Sequence, residues 1–218
     1  MQNTPYQIVL ASKSPRRIDL LNEIGLKFTT YTSDFKEKII EPAGNPKPSD
    51  PAAPTTTSET LTQPSETARS LSLYNSLGKA KEASNHFKNA LVIGVDTVGE
   101  SNGHILEKPT DREDAKRLLR LMSGTTHSVI TAITIINTVS GKSISKATET
   151  LITMEKLDEK EIEAYVQSGE GDDKAAGYAI QGKGALFIKK IEGDYFNVVG
   201  LPIYTLKKLL KEFDVELI

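Results

Sequence analysis

Gln7-Ile-Val-Leu-Ala-Ser-Lys-Ser-Pro-Arg-Arg-Ile-Asp-Leu-Leu-Asn-Glu-Ile-Gly25 reads as a strand, a turn and a helix in succession. Gln7 to Ala11 is an apolar run of strand length. Ser14 suits an N-cap and Pro15 the first helical position. Ile18, Leu21 and Ile24 form an apolar stripe, and Gly25 supplies a left-handed stop. Similar punctuation continues along the chain. Ala68, Leu71, Tyr74 and Leu77 mark a helix reaching to about His86. Ala90-Leu-Val-Ile-Gly-Val95 is a buried strand that delivers Asp96 at its C-terminal end. Thr110-Asp-Arg-Glu113 has capping-box spacing ahead of Ala115, Leu118, Leu119 and Met122. Strands are expected at 128–136, at about 147–154, at 185–191 and at 196–199. A helix capped by Asp158 carries Ile162, Tyr165 and Val166, and Pro202 opens a last helix with Leu206, Leu209, Leu210 and Phe213. Helices and strands interleave without an internal repeat, which predicts one mixed α/β domain over residues 1–218.

Pro42, Pro46, Pro48, Pro51, Pro54 and Pro64 interrupt that pattern and account for six of the 10 prolines. A stretch of this composition buries too little apolar surface to offset its ordering entropy, so a mobile surface insertion is expected at about 41–66. The chain has 218 residues, 27 Lys+Arg against 29 Asp+Glu, and a formal charge of −2. That balance speaks against a nucleic-acid polymer or an anionic membrane as partner and leaves room only for a local positive site. The absence of cysteine excludes a disulfide framework, a thiol nucleophile and Cys-bound zinc. His86, His104 and His127 share no metal-ligand spacing. No apolar run approaches a membrane span and no signal peptide opens the chain, so the expected setting is soluble and cytoplasmic.

Four segments can carry chemistry. Ser12-Lys-Ser-Pro-Arg-Arg17 gathers hydroxyls and cations where a helix begins, which is an anion-binding geometry. The plainer reading is a capped helix with solvated arginines. Asp96 and Thr97 follow a buried strand, at the end of the sheet where α/β proteins bind ligands; a carboxylate there can hold Mg²⁺, orient a water, or cap a turn. Lys108, in Leu106-Glu-Lys-Pro109, is a weaker signal. Gly177-Tyr-Ala-Ile-Gln-Gly-Lys183 matches the start of a P-loop, but Gly184 stands where Ser or Thr is needed, so a P-loop NTPase is rejected. Gln181 can still present an amide to a base edge or simply face solvent. His127 is given no role.

Together these segments resemble the Maf family of nucleoside triphosphate pyrophosphatases. The motifs occur in the family's order: Ser12 to Arg17, Gly94-Val-Asp-Thr97, Glu107-Lys-Pro109, Leu121-Met-Ser-Gly124 with His127, Tyr165 to Glu170, Asp173-Lys174, Ile180-Gln-Gly182 and Val198 to Pro202. One departure is Ala175-Ala-Gly-Tyr178, where the family usually reads Ala-Gly-Ala-Tyr.

The resemblance implies a mixed sheet with helices, of the Maf and inosine triphosphatase type, in two lobes around a central cleft, often dimeric. It implies hydrolysis of a nucleotide between its α- and β-phosphates with a divalent metal, Mg²⁺ or Mn²⁺. Arg16, Thr97 and Gln181 match the branch that acts on dTTP and UTP. In this reading Ser12, Ser14, Arg16, Arg17, Lys79 and Lys108 hold phosphate oxygens. Glu37 and Asp96 hold the metal, Asp96 accepts a proton from water, and Thr97 and Gln181 select the base. Another reading is a nucleotide-binding regulator of division or septum formation with little turnover.

Overall fold

The computed structural model describes residues 4–38 and 66–217. The Pro-rich stretch expected at about 41–66 lies outside the described residues, Glu66 excepted. The order is β1 (Gln7–Ala11), α1 (Pro15–Glu23), β2 (Thr29–Thr30), α2 (Glu66–Ser84), β3 (Ala90–Ser101), β4 (His104–Leu106), α3 (Arg112–Met122), β5 (Thr126–Asn137) and β6 (Ser143–Met154). Then come α4 (Glu159–Gln167), β7 (Ile188–Glu192), α5 (Tyr195–Val199) and α6 (Ile203–Lys211). Two 3₁₀ turns, Ala175–Gly177 and Gly182–Phe187, lie between α4 and β7.

A seven-stranded mixed sheet runs β2-β1-β3-β5-β6-β7, with β4 paired to β3. β1 is parallel to β2 and β3, whereas β3–β5, β5–β6 and β6–β7 are antiparallel. Strand alternation sorts β3 between two layers. Leu91, Ile93 and Val95 join Leu20 and Leu21 of α1 and Leu206, Leu209 and Leu210 of α6 in one core. Ala90 and Val92 face Ala80 and Ala83 of α2 on the other side. Gly94 lets α2 lie directly on the sheet: a Cβ there would stand 2.1 Å from the Ser76 carbonyl oxygen. A second core gathers Leu106, the apolar face of α3, Ile162, Tyr165 and Val166 of α4, Met154, Tyr178 and Phe187. The mixed α/β architecture agrees with the sequence reading.

Five local expectations are corrected. Asp96 does not end its strand: β3 continues to Ser101 because β5 pairs with it from Leu91 through Glu100. What ends near Asp96 is β1, whose last pair is Ala11 with Gly94. Residues 196–199 form the short helix α5 instead of a strand. Asp194 accepts from the Phe196 and Asn197 amides, Gly200 closes the turn at φ 118°, and the buried Asn197 is pinned to β5 through the Thr131 amide and the Val129 carbonyl. Residues 185–187 belong to a 3₁₀ turn, because Glu170 takes the Lys183 and Gly184 amides just before them and the ladder starts only at Ile188. The cap of α3 is Asp111, one residue later than Thr110, and its side chain accepts from the Asp114 amide. Finally, Tyr74 and Leu77 point outward on α2. Its sheet-facing side is Ala68, Leu71, Ser72, Asn75, Ser76, Ala80 and Ala83, all but Leu71 small or polar and suited to the close approach at Gly94.

Candidate active site

The site is built where β1 leaves the edge of β3. From Val95 onward that edge has no β1 partner, and two cations reach the Val95 carbonyl: Arg17 Nη1 at 3.2 Å and Lys79 Nζ at 3.4 Å. Arg17, in the first turn of α1, also donates from Nε to the Gly200 carbonyl at 2.8 Å, from Nη1 to Ser12 Oγ at 3.1 Å and from Nη2 to Thr97 Oγ1 at 3.0 Å. Its fork therefore joins the turn after β1, the β3 edge and the end of α5. Burial lowers the Arg17 pKa to about 10, against the opposing field of Asp96, which leaves the group charged at neutral pH. The first turn of α1 has no side-chain cap, although Ser14 occupies the N-cap position. The Ser14 amide donates instead to Ser12 Oγ.

Asp96 and Thr97 are consecutive residues on opposite faces of the sheet. Thr97 meets Arg17 and shares a 3.0 Å hydrogen bond with Thr131 Oγ1. Asp96, 5% exposed, turns toward α2. Its Oδ1 accepts from Lys79 Nζ at 2.7 Å and its Oδ2 from Asn75 Nδ2 at 3.3 Å. Lys79 Nζ also stands 2.7 Å from Glu37 Oε1. Glu37 belongs to a segment without helix or strand that rides along α2. Asn75 accepts from the Lys38 amide and donates to the Lys38 carbonyl. Glu82 accepts from Tyr31, Ser33 and the Asp34 amide. Phe35 lies against Gly78, where a Cβ would come within 2.2 Å of the ring. Gly78 and Lys79 thus act together, one admitting the segment and the other gripping its carboxylate.

Electrostatics separate the two acids. Burial pushes the Asp96 carboxyl above the ordinary carboxylate range; Lys79 and Arg17 oppose this, and Glu37 adds to it. For Glu37 burial acts in the same direction, but Lys79, Lys108 and Arg17 outweigh it and hold the group below its ordinary value. Lys79 commits its three N–H donors to Glu37, Asp96 and Val95. Arg16 and Lys108 form no ion pair among the described residues. The Arg16 pKa is lowered by burial, against the fields of Asp173 and of Tyr165 on α4. Arg16 and Gln181 line one cavity of about 300 Å³ with Asp19, Leu20, Asn22, Glu23 and Val199. Hence the structure brings together Glu37, Lys79 and Asp96 in one cluster, Ser12, Arg17 and Thr97 in a second, and Arg16 with Gln181 in a third.

Two carboxylates converging on one cation make a hard, anionic donor set. No group of three or more Asp, Glu or His side chains suited to a metal occurs among the described residues. Mg²⁺ and its relatives need only one or two carboxylates when phosphate oxygens fill the remaining positions. Glu37 and Asp96 thus fit a metal carried by a phosphorylated ligand better than one caged by protein alone.

A sequence profile described as "Maf-like protein" matches residues 7–213, nearly the whole chain. The chain belongs to the Maf family. It is 41% identical over 212 residues to the dTTP/UTP pyrophosphatase of Methanosarcina barkeri, covering 97% of this chain and 96% of that protein. It is 42% identical over 213 residues to that of a Thermoanaerobacter species, covering 97% and 100%. The dTTP/UTP pyrophosphatase of Dictyoglomus thermophilum is 36% identical over 212 residues, covering 97% and 98%.

Within this Maf chain, sequence reasoning missed Asn75 and Glu82. Asn75 had a readable signal, since a polar amide lies one and two turns beyond Leu71 and Ala68, and the structure buries it to 3% exposure. Glu82 had none, because its partners Tyr31, Ser33 and Asp34 are about 50 residues away in sequence. His127 is buried and 2.7 Å from Tyr178 Oη, and burial pushes its pKa down to about 4, so the imidazole is neutral. Among the described residues no helix is long and apolar enough to cross a membrane.

Proposed function

We propose that this protein hydrolyses dTTP and UTP to the nucleoside monophosphate and pyrophosphate. The observation that carries the reading is the buried Asp96 carboxylate, held from both sides by Lys79 and Asn75 and facing Glu37 across one ammonium. The names of relatives over nearly their full length support the same substrates. A triphosphate carries about four negative charges, so attack on its α-phosphorus requires cations that neutralise the chain. Arg16, Lys108 and the uncapped first turn of α1 bind phosphate oxygens, with Ser12 and Ser14 as hydroxyl donors. Arg17 and Lys79, already committed to protein acceptors, hold the frame and add their charge to the field.

Asp96 orients the attacking water and accepts its proton as the water oxygen bonds to the α-phosphorus. The α–β bridging oxygen departs with pyrophosphate. Glu37 and Asp96 would hold a divalent metal, Mg²⁺ or Mn²⁺, which supplies Lewis-acid neutralisation of the phosphates when bound. Gln181, beside Arg16 in the cavity, reads the base, and Thr97 contributes by orienting Arg17. The reading extends to nucleotide-pool housecleaning in the cytoplasm by a homodimer, and light scattering on the purified protein tests the dimer.

Pyrophosphate release from canonical and modified nucleotides, with Mg²⁺ or Mn²⁺, tests the activity. Preferred release from dTTP and UTP is expected. Release from no nucleotide would replace the reading with that of a nucleotide-binding regulator of division.

A further inference from the structure

Gln181 sits on a loop whose conformation depends on side chains from three other places in the fold. On the near side, the Tyr178 hydroxyl pairs with His127 Nε2 of β5 at 2.7 Å, their rings edge to face with centroids 5.5 Å apart. In the middle, the Ala179 amide donates to Tyr165 Oη of α4 at 3.0 Å. On the far side, the Lys183 and Gly184 amides donate to the two carboxylate oxygens of Glu170, each at 3.0 Å. Tyr165 and Glu170 also influence each other electrostatically, so the middle and far contacts adjoin. Two glycines admit them. A Cβ on Gly182, at φ 71°, would stand 2.7 Å from Glu170 Oε2, and one on Gly184 would stand 2.0 Å from the Ala179 carbonyl oxygen. His127 and Tyr178 are 1% and 6% exposed, so their contact is shielded from water. Gln181 itself is exposed and aimed at the cavity that Arg16 shares.

We propose that His127, Tyr165 and Glu170 are positioning residues for base selection: they touch no reacting atom and fix the loop that presents the Gln181 amide. This rests on the reading of Gln181 as the base-contacting residue. A side chain held by its own backbone loop can discriminate bases only if the loop has one conformation. Each contact removed lets the amide leave its position without disturbing Asp96 or the phosphate cations.

The test compares Tyr165→Phe, Tyr178→Phe and Gln181→Ala with the wild type. Both Phe substitutions keep ring and volume, and thermal unfolding measures their folding. Steady-state kinetics on dTTP and dGTP are read beside the inhibition constant of inorganic tripolyphosphate, a probe with no base. Each Phe variant is expected to raise KM for dTTP about tenfold, the equivalent of one hydrogen bond. The dTTP over dGTP preference should fall, with kcat changed less than about threefold and tripolyphosphate inhibition unchanged. If Gln181→Ala lowers the preference while both Phe variants leave it intact, the positioning role is overturned and the reading of Gln181 stands. If Gln181→Ala itself leaves the preference intact, that reading fails first. A fall in kcat or a parallel shift in tripolyphosphate inhibition would assign these residues to the phosphate end and overturn the proposal.

Discussion

Lys79 Nζ stands 2.7 Å from Asp96 Oδ1 and the same distance from Glu37 Oε1, so a single ammonium holds both acids of the site. Burial raises the Asp96 pKa, and Lys79 is the largest influence opposing it. Lys79→Met removes that opposition, so the Asp96 pKa must rise further. The acid limb of the kcat/KM profile for dTTP is expected to move to higher pH. A limb that stays in place would mean that a group other than Asp96 titrates there.

Asp96→Asn keeps the shape of the side chain and an acceptor for Asn75 but cannot take a proton from water. A preorganised group acting on the transition state contributes roughly 3–4 kcal/mol, so turnover of dTTP and UTP should fall by about 10²–10³ in a folded protein. Circular dichroism checks the fold and pyrophosphate release the rate. Wild-type turnover in the variant would remove Asp96 from the reaction.

Arg16 and Arg17 are neighbours with different work, and stability measurements separate them. Arg17→Ala leaves the Gly200 and Val95 carbonyls without their guanidinium donor. Val95 keeps Lys79 as a donor, so one carbonyl, Gly200, is orphaned, and a loss of roughly 1–3 kcal/mol in unfolding free energy is expected. Arg16→Ala should leave the urea midpoint nearly unchanged and raise KM. Equal destabilisation by the two substitutions would contradict this division.

Ala176 adopts φ 65° and Gly177 φ 70°. The family's usual order puts glycine at the first of these positions, and an alanine held in the left-handed region costs about 1–2 kcal/mol. Ala176→Gly should therefore stabilise the protein by about 1 kcal/mol, after allowance for the greater freedom of glycine in the unfolded chain. The denaturation midpoint reports the change, and a lower midpoint would refute it.

Gly94→Ala places a methyl group 2.1 Å from the Ser76 carbonyl oxygen, inside any tolerable contact. α2 must move away from β3, which costs about 1–3 kcal/mol and shifts Lys79 relative to Asp96. Both stability and turnover should fall. A stable variant with lowered turnover would place the effect in the site alone.

Periodicity made β1, α1, α3, α4 and α6 legible, because each places its own apolar residues and terminal signals within about a dozen positions. The Phe196 to Val199 segment misled because β-branched residues favour strands in isolation, whereas Asp194, Asn197 and Gly200 decide locally for a turn of helix. The face of α2 was misjudged for a related reason. Tyr74 and Leu77 are more apolar than Asn75 and Ser76, but only the smaller side fits against Gly94. In the site, Asp96, Arg16 and Gln181 stood out through motif order, and Lys79 through the family resemblance. The sharing of one ammonium by Glu37 and Asp96, and the four acceptors around Arg17, depend on long-range packing that no local window contains.

The hydrogen bond from Arg17 Nε to the Gly200 carbonyl spans 183 residues of sequence. A ribosome makes Arg17 almost at once and Gly200 near the end, so the guanidinium waits through most of synthesis for its last acceptor. Full assembly of the contacts around Arg17 is therefore a late event in the life of the chain. Any truncation ahead of Gly200 would leave this arginine one acceptor short, though every proposed reacting group had already been made.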